Sequence, residues 1–328
     1  MYTNIIMKIL ITGCAGFIGF NIAKKILSNK KNLVYGVDSI SSYYSIDLKK
    51  QRLSILRRFK NFDYIKKDLS KSKNVEDIFV RNKFDMVLHL AAQPGVRRSF
   101  NYPNEYYDAN VSSFFNILES SRKLKIKKIF FASSSSVYGD SKKFPITEKF
   151  NREPKNFYAL TKCMNEDMAK FYSEVYKIKI VGFRFFTIYG PYGRPDMLIW
   201  KLCENILFKK NLKINNYGKH ERDFTYIDDA VKMVLNIIKL KNNNNFEVFN
   251  ICSNNPIKLK YIIELFIQLG KNNILKNFKY QNFQNGDVIK THGSNLKLLK
   301  KIRNFKFTSI NDGISQTFHW FKKYKKLK

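Results

Sequence analysis

Long apolar runs are missing from this chain. Those present are short, such as Ile9 to Gly13, and none approaches the roughly 20 residues that a membrane-crossing helix needs. The sequence therefore predicts no membrane span. Cysteine is scarce as well: Cys14, Cys163, Cys203 and Cys252 show no C-x-x-C spacing and no histidine-rich surroundings. A disulfide frame and a zinc site are both excluded on that pattern. The four thiols point to a reducing compartment, so a cytoplasmic protein without a metal is expected. The start Met1-Tyr2-Thr3-Asn4 has neither a basic region nor a cleavage site, so no secretory signal is expected, and the first strand should begin near Met7. Acidic residues are few, 26 against 60 Lys and Arg, for a net charge of +34. Such a balance invites a nucleic-acid partner. Its distribution argues otherwise, because the lysines are scattered among Asn, Ile and Phe, with a basic tail only at Phe321 to Lys328. A diffuse excess of this kind is what an AT-rich genome produces. No nucleic-acid partner is expected, although the field favours an anionic small substrate.

What is present is an alternation of apolar, β-branched runs with helical patterns over 328 residues. Strands are expected at Lys8 to Thr12, Leu33 to Asp38, Phe62 to Lys67, Met86 to Leu90, Lys128 to Ser133 and Ile178 to Phe185. Helices fit between them at Phe17 to Lys30, Leu48 to Phe59, Ser72 to Asn82, Asn104 to Leu124 and Phe157 to Tyr176. This order predicts an α/β fold with a Rossmann-type, doubly wound parallel sheet over residues 7–185. Beyond Pro191 the alternation breaks down, and a smaller α/β substrate domain is expected over 186–328. Later strands from about 224–252 are expected to cross between the two. Asn242 to Asn245 reads as a low-complexity loop before a strand at Glu247 to Ile251.

The first strand runs into Gly13-Cys14-Ala15-Gly16-Phe17-Ile18-Gly19, which opens a helix. Glycines there permit a tight turn, close approach of a pyrophosphate and close helix–strand packing, and the helix start presents free N–H groups to phosphates. The spacing is G-x-x-G-x-x-G rather than the commoner G-x-G-x-x-G. The second strand ends in Asp38, where an acid can bind the adenosine ribose hydroxyls and favours NAD over NADP. Asp68, next to Leu69 after the third strand, either touches the adenine edge or simply forms a turn.

Tyr158-Ala159-Leu160-Thr161-Lys162 falls on a predicted helix, where residues four apart share a face. A free tyrosine titrates near pH 10 and is a poor base at neutrality, but a neighbouring ammonium stabilises its phenolate. Chance matches to Y-x-x-x-K are common. What raises this one is Ser133-Ser134-Ser135-Ser136-Val137-Tyr138-Gly139 at the preceding strand's carboxyl end, where hydroxyls project into the crevice that binds ligands.

These segments, together with HLAAQPGVRRS, RFFTIYGPYGRPDM and YGKHERDFTYIDD, resemble the extended short-chain dehydrogenase/reductase family, the NAD-dependent epimerases and dehydratases. Within it they are most similar to the UDP-glucuronate 4-epimerases, over Lys8 to about Leu240 and again near Gln284 to Asp287. The resemblance implies Tyr158 as base, Lys162 as its partner and Ser134 as the triad hydroxyl, with Ser135 and Ser136 open as alternatives. It implies that Leu90, Ala91, Ala92 and Gln93 line a tightly bound NAD. A UDP-sugar would meet Arg97 and the serines, Arg222 would hold the phosphates, and Asp287 would hold the uridine ribose. Asn215 to Tyr217, with Asn216 central, would run along the uracil as a strand. Thr187, where hexose 4-epimerases carry Asn, and Arg194 together match a sugar carboxylate, since a guanidinium grips two oxygens at once. Asn285 departs from the Pro usual in Q-P-G-D. The family also implies a homodimer formed through the helices at Asn104 to Leu124 and Phe157 to Tyr176 as a four-helix bundle.

Rival functions share parts of this pattern. A 4,6-dehydratase commonly carries an Asp-Glu pair where this chain has Ser135 and Ser136. A UDP-glucuronate decarboxylase passes through the same ketone, and other UDP-hexose 4-epimerases use the same Tyr/Lys pair. A non-catalytic NAD-sensing or nucleic-acid-binding protein would instead show a damaged pair and a focused basic face.

Overall fold

Parallel strands buried on both faces must be apolar along most of their length, and Met7–Thr12, Met86–His89 and Lys179–Phe185 meet that condition almost residue for residue. The computed structural model describes residues 7–240, 245–270, 278–283, 287–302 and 304–327. Asn242 to Asn244, Gln284 and Asn285 lie outside that set. In chain order the strands are β1 (Met7–Thr12), β2 (Asn32–Val37), β3 (Phe62–Ile65), β4 (Met86–His89), β5 (Lys128–Ser134), β6 (Lys179–Phe185), β7 (Thr187–Tyr189), β8 (Leu212–Asn215), β9 (Glu221–Tyr226), β10 (Phe246–Ile251), β11 (Pro256–Lys258) and β12 (Phe278–Gln281).

The chain forms two compact units, of which the first comprises residues 1–139, 151–185 and 234–249. Its sheet has the order β10-β6-β5-β4-β1-β2-β3, and every pairing from β6 to β3 is parallel. The winding reverses between β1 and β4, so the loops after these two strands open side by side at a topological switch point, where doubly wound sheets bind ligands. One face of the sheet is filled by Leu10, Val87, Ile129 and Phe131 against Phe114, Ile117, Ala169 and Tyr172. The fold is the α/β Rossmann-type expected.

Helix Phe157–Tyr176 spans the residues expected, started by Asn156, whose side chain accepts the Ala159 N–H. The expected helix from Asn104 to Leu124 is not continuous. Short turns at Arg98–Asn101 and Pro103–Tyr106 lead into a π-helical stretch, Tyr107–Ser112, and only then into helix Ser113–Lys123. The wider stretch carries Asn110 inward, where its amide donates to the Thr161 hydroxyl (3.0 Å) and its carbonyl accepts the Gln93 N–H (2.7 Å). A single buried side chain accounts for the interruption.

The second unit comprises residues 140–150, 186–233 and 250–328. The segment 140–150 falls within the range expected for the first domain, yet it groups here. Its backbone explains why: Ile146 donates to the His292 carbonyl and accepts from Ser294 (both 2.8 Å), and Glu148 accepts the Asn250 N–H (2.8 Å). Residues 234–249, from the stretch expected to cross, group with the first unit. β9 is flanked by β7, parallel, and β11, antiparallel, while β8 and β12 pair in parallel. Asp223, fully buried on β9, collects the backbone N–H groups of Ser253, Asn254 and Gly293 and the Ser253 hydroxyl at 2.8–3.1 Å.

Candidate active site

The turn after β1 is shaped by what cannot be there. Gly13 has φ +70°, and a Cβ would lie 2.7 Å from the Ala91 nitrogen and the Leu90 carbonyl carbon. At Gly19 a Cβ would lie 2.1 Å from the Gly13 carbonyl oxygen. These two positions bring β1, the following helix and the end of β4 closer than any side chain permits. Gly16 closes the turn on the Gly13 carbonyl (2.9 Å) and precedes helix Phe17–Leu27, whose start has no side-chain cap. Uncapped N–H groups at a helix start are the donors a phosphate uses. Phe17 is buried and Ile18 half-buried at that start. Asp38 follows β2 half-buried; one oxygen accepts the Ala15 N–H (3.0 Å) and the other the Ile40 N–H (2.8 Å). A carboxylate has about four lone-pair sites, so each oxygen keeps capacity for a ribose hydroxyl.

Thr12 and His89 tie the ends of β1 and β4 together. The Thr12 hydroxyl oxygen accepts the N–H groups of Leu90 and Ala91, both at 3.1 Å, and lies 3.0 Å from His89 Nδ1. With both lone pairs engaged, that hydroxyl donates to Nδ1, which places the ring proton of a neutral His89 on Nε2. Burial, with the charge of Lys162 adding to it, pushes His89 down to about 3, so the ring stays uncharged. The Leu90–Gln93 turn is thus held at its start by Thr12 and at its end by Asn110.

The end of β5 faces helix Phe157–Tyr176. Lys162 is buried and its Nζ donates to the Ala132 carbonyl (2.9 Å), with the ammonium 6.0 Å from the centre of the Tyr158 ring. Burial pushes this ammonium down to about 8, with the charge of Glu166 pulling the other way. Tyr158 is half-buried, and the fully buried Tyr106 meets its ring edge-on at 6.3 Å. Tyr106 in turn donates towards the carbonyls of Pro94 (2.8 Å) and Gly95 (2.6 Å). The four serines separate by role. Ser133 donates to Glu166 Oε1 (2.6 Å). Ser134 accepts the Ser136 N–H, lies 3.1 Å from the Ser136 hydroxyl, and caps the 3-10 turn Ser135–Tyr138. Ser135 and Ser136 are half-buried on that turn.

Two expected contacts of the first unit lie at its surface. Asp68 is exposed and accepts the Ser70 N–H (3.0 Å), the turn-forming arrangement; Leu69 beside it is buried and its carbonyl accepts from Asn116. Arg97 is exposed as well.

In the second unit, Thr187 opens β7, half-buried and opposite Phe224 of β9. Arg194 already holds a carboxylate: Nε and Nη2 donate to the two oxygens of Asp196 at 3.0 and 2.5 Å. Arg222 donates to the carbonyls of Glu221 (3.0 Å) and Ile289 (2.9 Å). Burial lowers its guanidinium to about 10, against the opposing charges of Asp287 and Asp140, so it remains a cation at neutral pH. Asn215 donates to Asp287 (3.3 Å), whose charge also acts on Arg222. Asn216 and Tyr217 do not continue a strand. Pairing with β12 stops at Asn215, and both residues take left-handed backbone (φ 47° and 50°) in a 3-10 turn. Tyr217 stands exposed beside Tyr280, their rings stacked at 6.4 Å.

Glu166, Arg184, Asn110, Tyr106 and Asp196 escaped the sequence reading. Only Glu166 left a signal, since it follows Lys162 by one more helical step on the face that bears Tyr158.

Among the described residues no helix is long and apolar enough to cross a membrane, and no cluster of His, Cys, Asp or Glu could hold a metal ion. The chain is 39% identical over 338 residues to protein CapI of Staphylococcus aureus, covering 98% of this chain and 100% of that one. It is 36% identical over 317 residues to the UDP-glucuronate 4-epimerase of Thermodesulfobacterium geofontis, covering 95% of each. The crystal structure of UDP-glucuronic acid 4-epimerase from Bacillus cereus, in complex with UDP-glucuronic acid and NAD, matches with a TM-score of 0.91 at 29% identity, over 97% of this chain and 100% of that one. The model of the NAD dependent epimerase/dehydratase family matches residues 9–252, and the chain belongs to that family.

Proposed function

We propose that this protein is an NAD-dependent 4-epimerase of a UDP-uronic acid, interconverting UDP-glucuronate and UDP-galacturonate. The observation that carries this reading is the buried Lys162 beneath Tyr158, beside a strand end that presents Ser134. Relatives named for the same reaction support the choice of substrate.

The first unit fits a dinucleotide. An uncapped helix start, the side-chain-free approach at Gly13 and the half-buried Asp38 suit a pyrophosphate and an adenosine ribose. Gly13, Gly16, Phe17, Ile18, Gly19, Asp38, Leu90, Ala91, Ala92, Gln93, Tyr158 and Lys162 would hold NAD, with Asp68 and Leu69 near the adenine. What bound NAD supplies is reversible redox at sugar C4, through a transient 4-keto sugar. The protein handles the proton. Tyr158 takes it from the C4 hydroxyl and returns it, Lys162 holds the phenolate, and Ser134 hydrogen-bonds the same oxygen. A 4-ketone beside the C5 carboxylate is a β-keto acid, prone to lose CO₂. Thr187 and Arg194 keep that carboxylate near the sugar plane, and Asp196 is the group it exchanges with. Ser135 and Ser136 contact the sugar where a dehydratase commonly carries its Asp-Glu pair. Arg222 balances the diphosphate, Asp287 binds the uridine ribose, Asn216 and Tyr217 border the uracil, and Arg97 faces the anionic substrate.

The protein acts in the cytoplasm as a homodimer. Its four cysteines are free and buried. Phe115, Leu160, Phe171, Val175 and Tyr176 stand exposed on Ser113–Lys123 and Phe157–Tyr176, an apolar surface suited to a four-helix bundle. Sedimentation equilibrium checks the dimer, and a monomer at micromolar concentration would remove it. For the activity, the purified protein is incubated separately with UDP-glucuronate, UDP-galacturonate and UDP-glucose while C4 configuration and CO₂ are followed. The expected result is interconversion of the two uronates without CO₂. Predominant CO₂ release would make the protein a decarboxylase, and turnover of UDP-glucose alone would overturn the uronate assignment.

A further inference from the structure

Tyr158, Lys162 and Glu166 recur at four-residue steps on Phe157–Tyr176 and so lie along one face. The reaction proposed above uses the first two and leaves a fully buried carboxylate unexplained. Glu166 is held from three sides. Ser133 donates to Oε1 at 2.6 Å, and Arg184 donates to Oε1 through Nε (2.8 Å) and to Oε2 through Nη2 (2.6 Å). Arg152 stands 3.6 Å from Oε2. Arg184 is itself fixed, because Nη1 donates to the Tyr138 hydroxyl (2.8 Å) and the guanidinium lies 4.7 Å over that ring.

Three consecutive residues of β5 are claimed in order. The Ala132 carbonyl takes Lys162, the Ser133 hydroxyl reaches Glu166, and Ser134 caps the turn that presents the remaining serines. Sliding the helix by one residue along the strand breaks the first two bonds together. A buried ion pair is weak evidence for stability, since an apolar pair of similar volume commonly serves as well. Its position beside the reacting pair is the informative property. The groups that face Lys162 are Tyr158 and Glu166 on its own helix, the Ala132 carbonyl on β5, and His89 on β4, which is neutral. Glu166 is the carboxylate that acts on the ammonium.

We propose that Glu166, clamped by Arg184 and Ser133, is a positioning residue for the reaction: it keeps Lys162 charged beneath Tyr158 and fixes the helix in register with the strand end that bears Ser134. The inference rests on the Tyr158/Lys162 assignment made above. Burial brings the ammonium of Lys162 down to about 8 while the charge of Glu166 opposes that fall, so the loss of Glu166 favours the neutral amine. Its own proton equilibrium sets the sign. Lys162 is charged below that value, so removing Glu166 lowers the pH at which the charge is lost, and the phenolate loses its partner.

The test is a titration of the holoenzyme without substrate, following tyrosinate absorbance against pH. Subtracting the Tyr158→Phe profile isolates Tyr158. In Glu166→Gln the midpoint for Tyr158 should rise, by up to roughly 1 pH unit, because a Lys162 that gives up its charge more readily no longer stabilises the phenolate. Glu166→Asp, which keeps the charge, should restore most of the wild-type midpoint. An unchanged midpoint in a folded Glu166→Gln overturns the electrostatic role. Ser133→Ala tests register without touching a charge and also serves if Glu166→Gln does not fold. It should lower kcat about 3- to 10-fold with KM unchanged, the loss of one well-made hydrogen bond, and an unaltered kcat overturns that role. Failure of the wild-type protein to turn over uronates, with the midpoint shift still seen in Glu166→Gln, sinks the substrate assignment alone. A Tyr158→Phe profile indistinguishable from wild type sinks the Tyr/Lys assignment beneath both.

Discussion

The polar groups of the first unit and those of the second are held in different ways. Around Lys162 and Glu166 the closest ion pair and its neighbours are buried: both side chains of the Arg184–Glu166 pair are about 5% exposed, and Asn110, Thr12 and His89 are fixed within the same interior. Arg194 and Asp196 lie two residues apart in one loop with side chains 20% and 33% exposed, and Tyr217 is 57% exposed on a left-handed turn. In the function proposed above, the groups assigned to the redox step sit among buried, multiply bonded partners, whereas those assigned to the sugar carboxylate and the uracil rest on local, partly exposed pairs.

The steepest break in this contrast should come from Tyr158→Phe. Turnover should fall by roughly 10²- to 10⁴-fold, the usual contribution of a positioned acid–base group, while UDP affinity by calorimetry stays near wild type. Near-normal turnover would remove Tyr158 from the reaction. Next in size is Arg184→Met, which strands a buried carboxylate. Urea unfolding should show a loss of about 3–5 kcal/mol, and a loss under about 1 kcal/mol would mean that the interior is less rigid than its bonding implies. Arg222→Met in the second unit should weaken UDP binding roughly 10- to 100-fold, since charge-assisted bonds to phosphate contribute about 1.5–3 kcal/mol, with little change in the unfolding midpoint. Equal UDP affinity would reassign the phosphates. The smallest effect is expected from Asp196→Asn. If the substrate carboxylate exchanges with Asp196, KM for UDP-glucuronate should drop by about 2- to 5-fold, the worth of a partly exposed ion pair. A higher KM would show instead that Asp196 orients Arg194.

Sequence patterns made the frame legible where the cause is local. The glycine turn and helix Phe157–Tyr176 follow from local steric needs and periodicity. What stayed hidden depends on distant partners. Nothing in residues 140–150 announces that Ile146 bonds to His292 and Ser294, and Asp223 looks like any other acid until Ser253, Asn254 and Gly293 converge on it within β9. The left-handed backbone at Asn216 and Tyr217 reverses an expected strand through two dihedral angles that composition does not encode. Ser133 and Ser134 are identical letters, and only the alternation of side chains along β5 separates the one that meets Glu166 from the one that caps the turn.

The π-helical stretch Tyr107–Ser112 has a further consequence. It holds one residue more per turn than its surroundings, so it acts as a phase shifter in the helical path: residues before and after it are rotated by about 100° relative to an unbroken α-helix. Tyr106, which meets Tyr158, lies just upstream, and Phe115 on the exposed apolar surface lies just downstream. Deleting one residue from the stretch would regularise the helix and yet swing Tyr106 away from Tyr158 or Phe115 off that surface. The irregular turn thus lets a single helical path serve two directions at once.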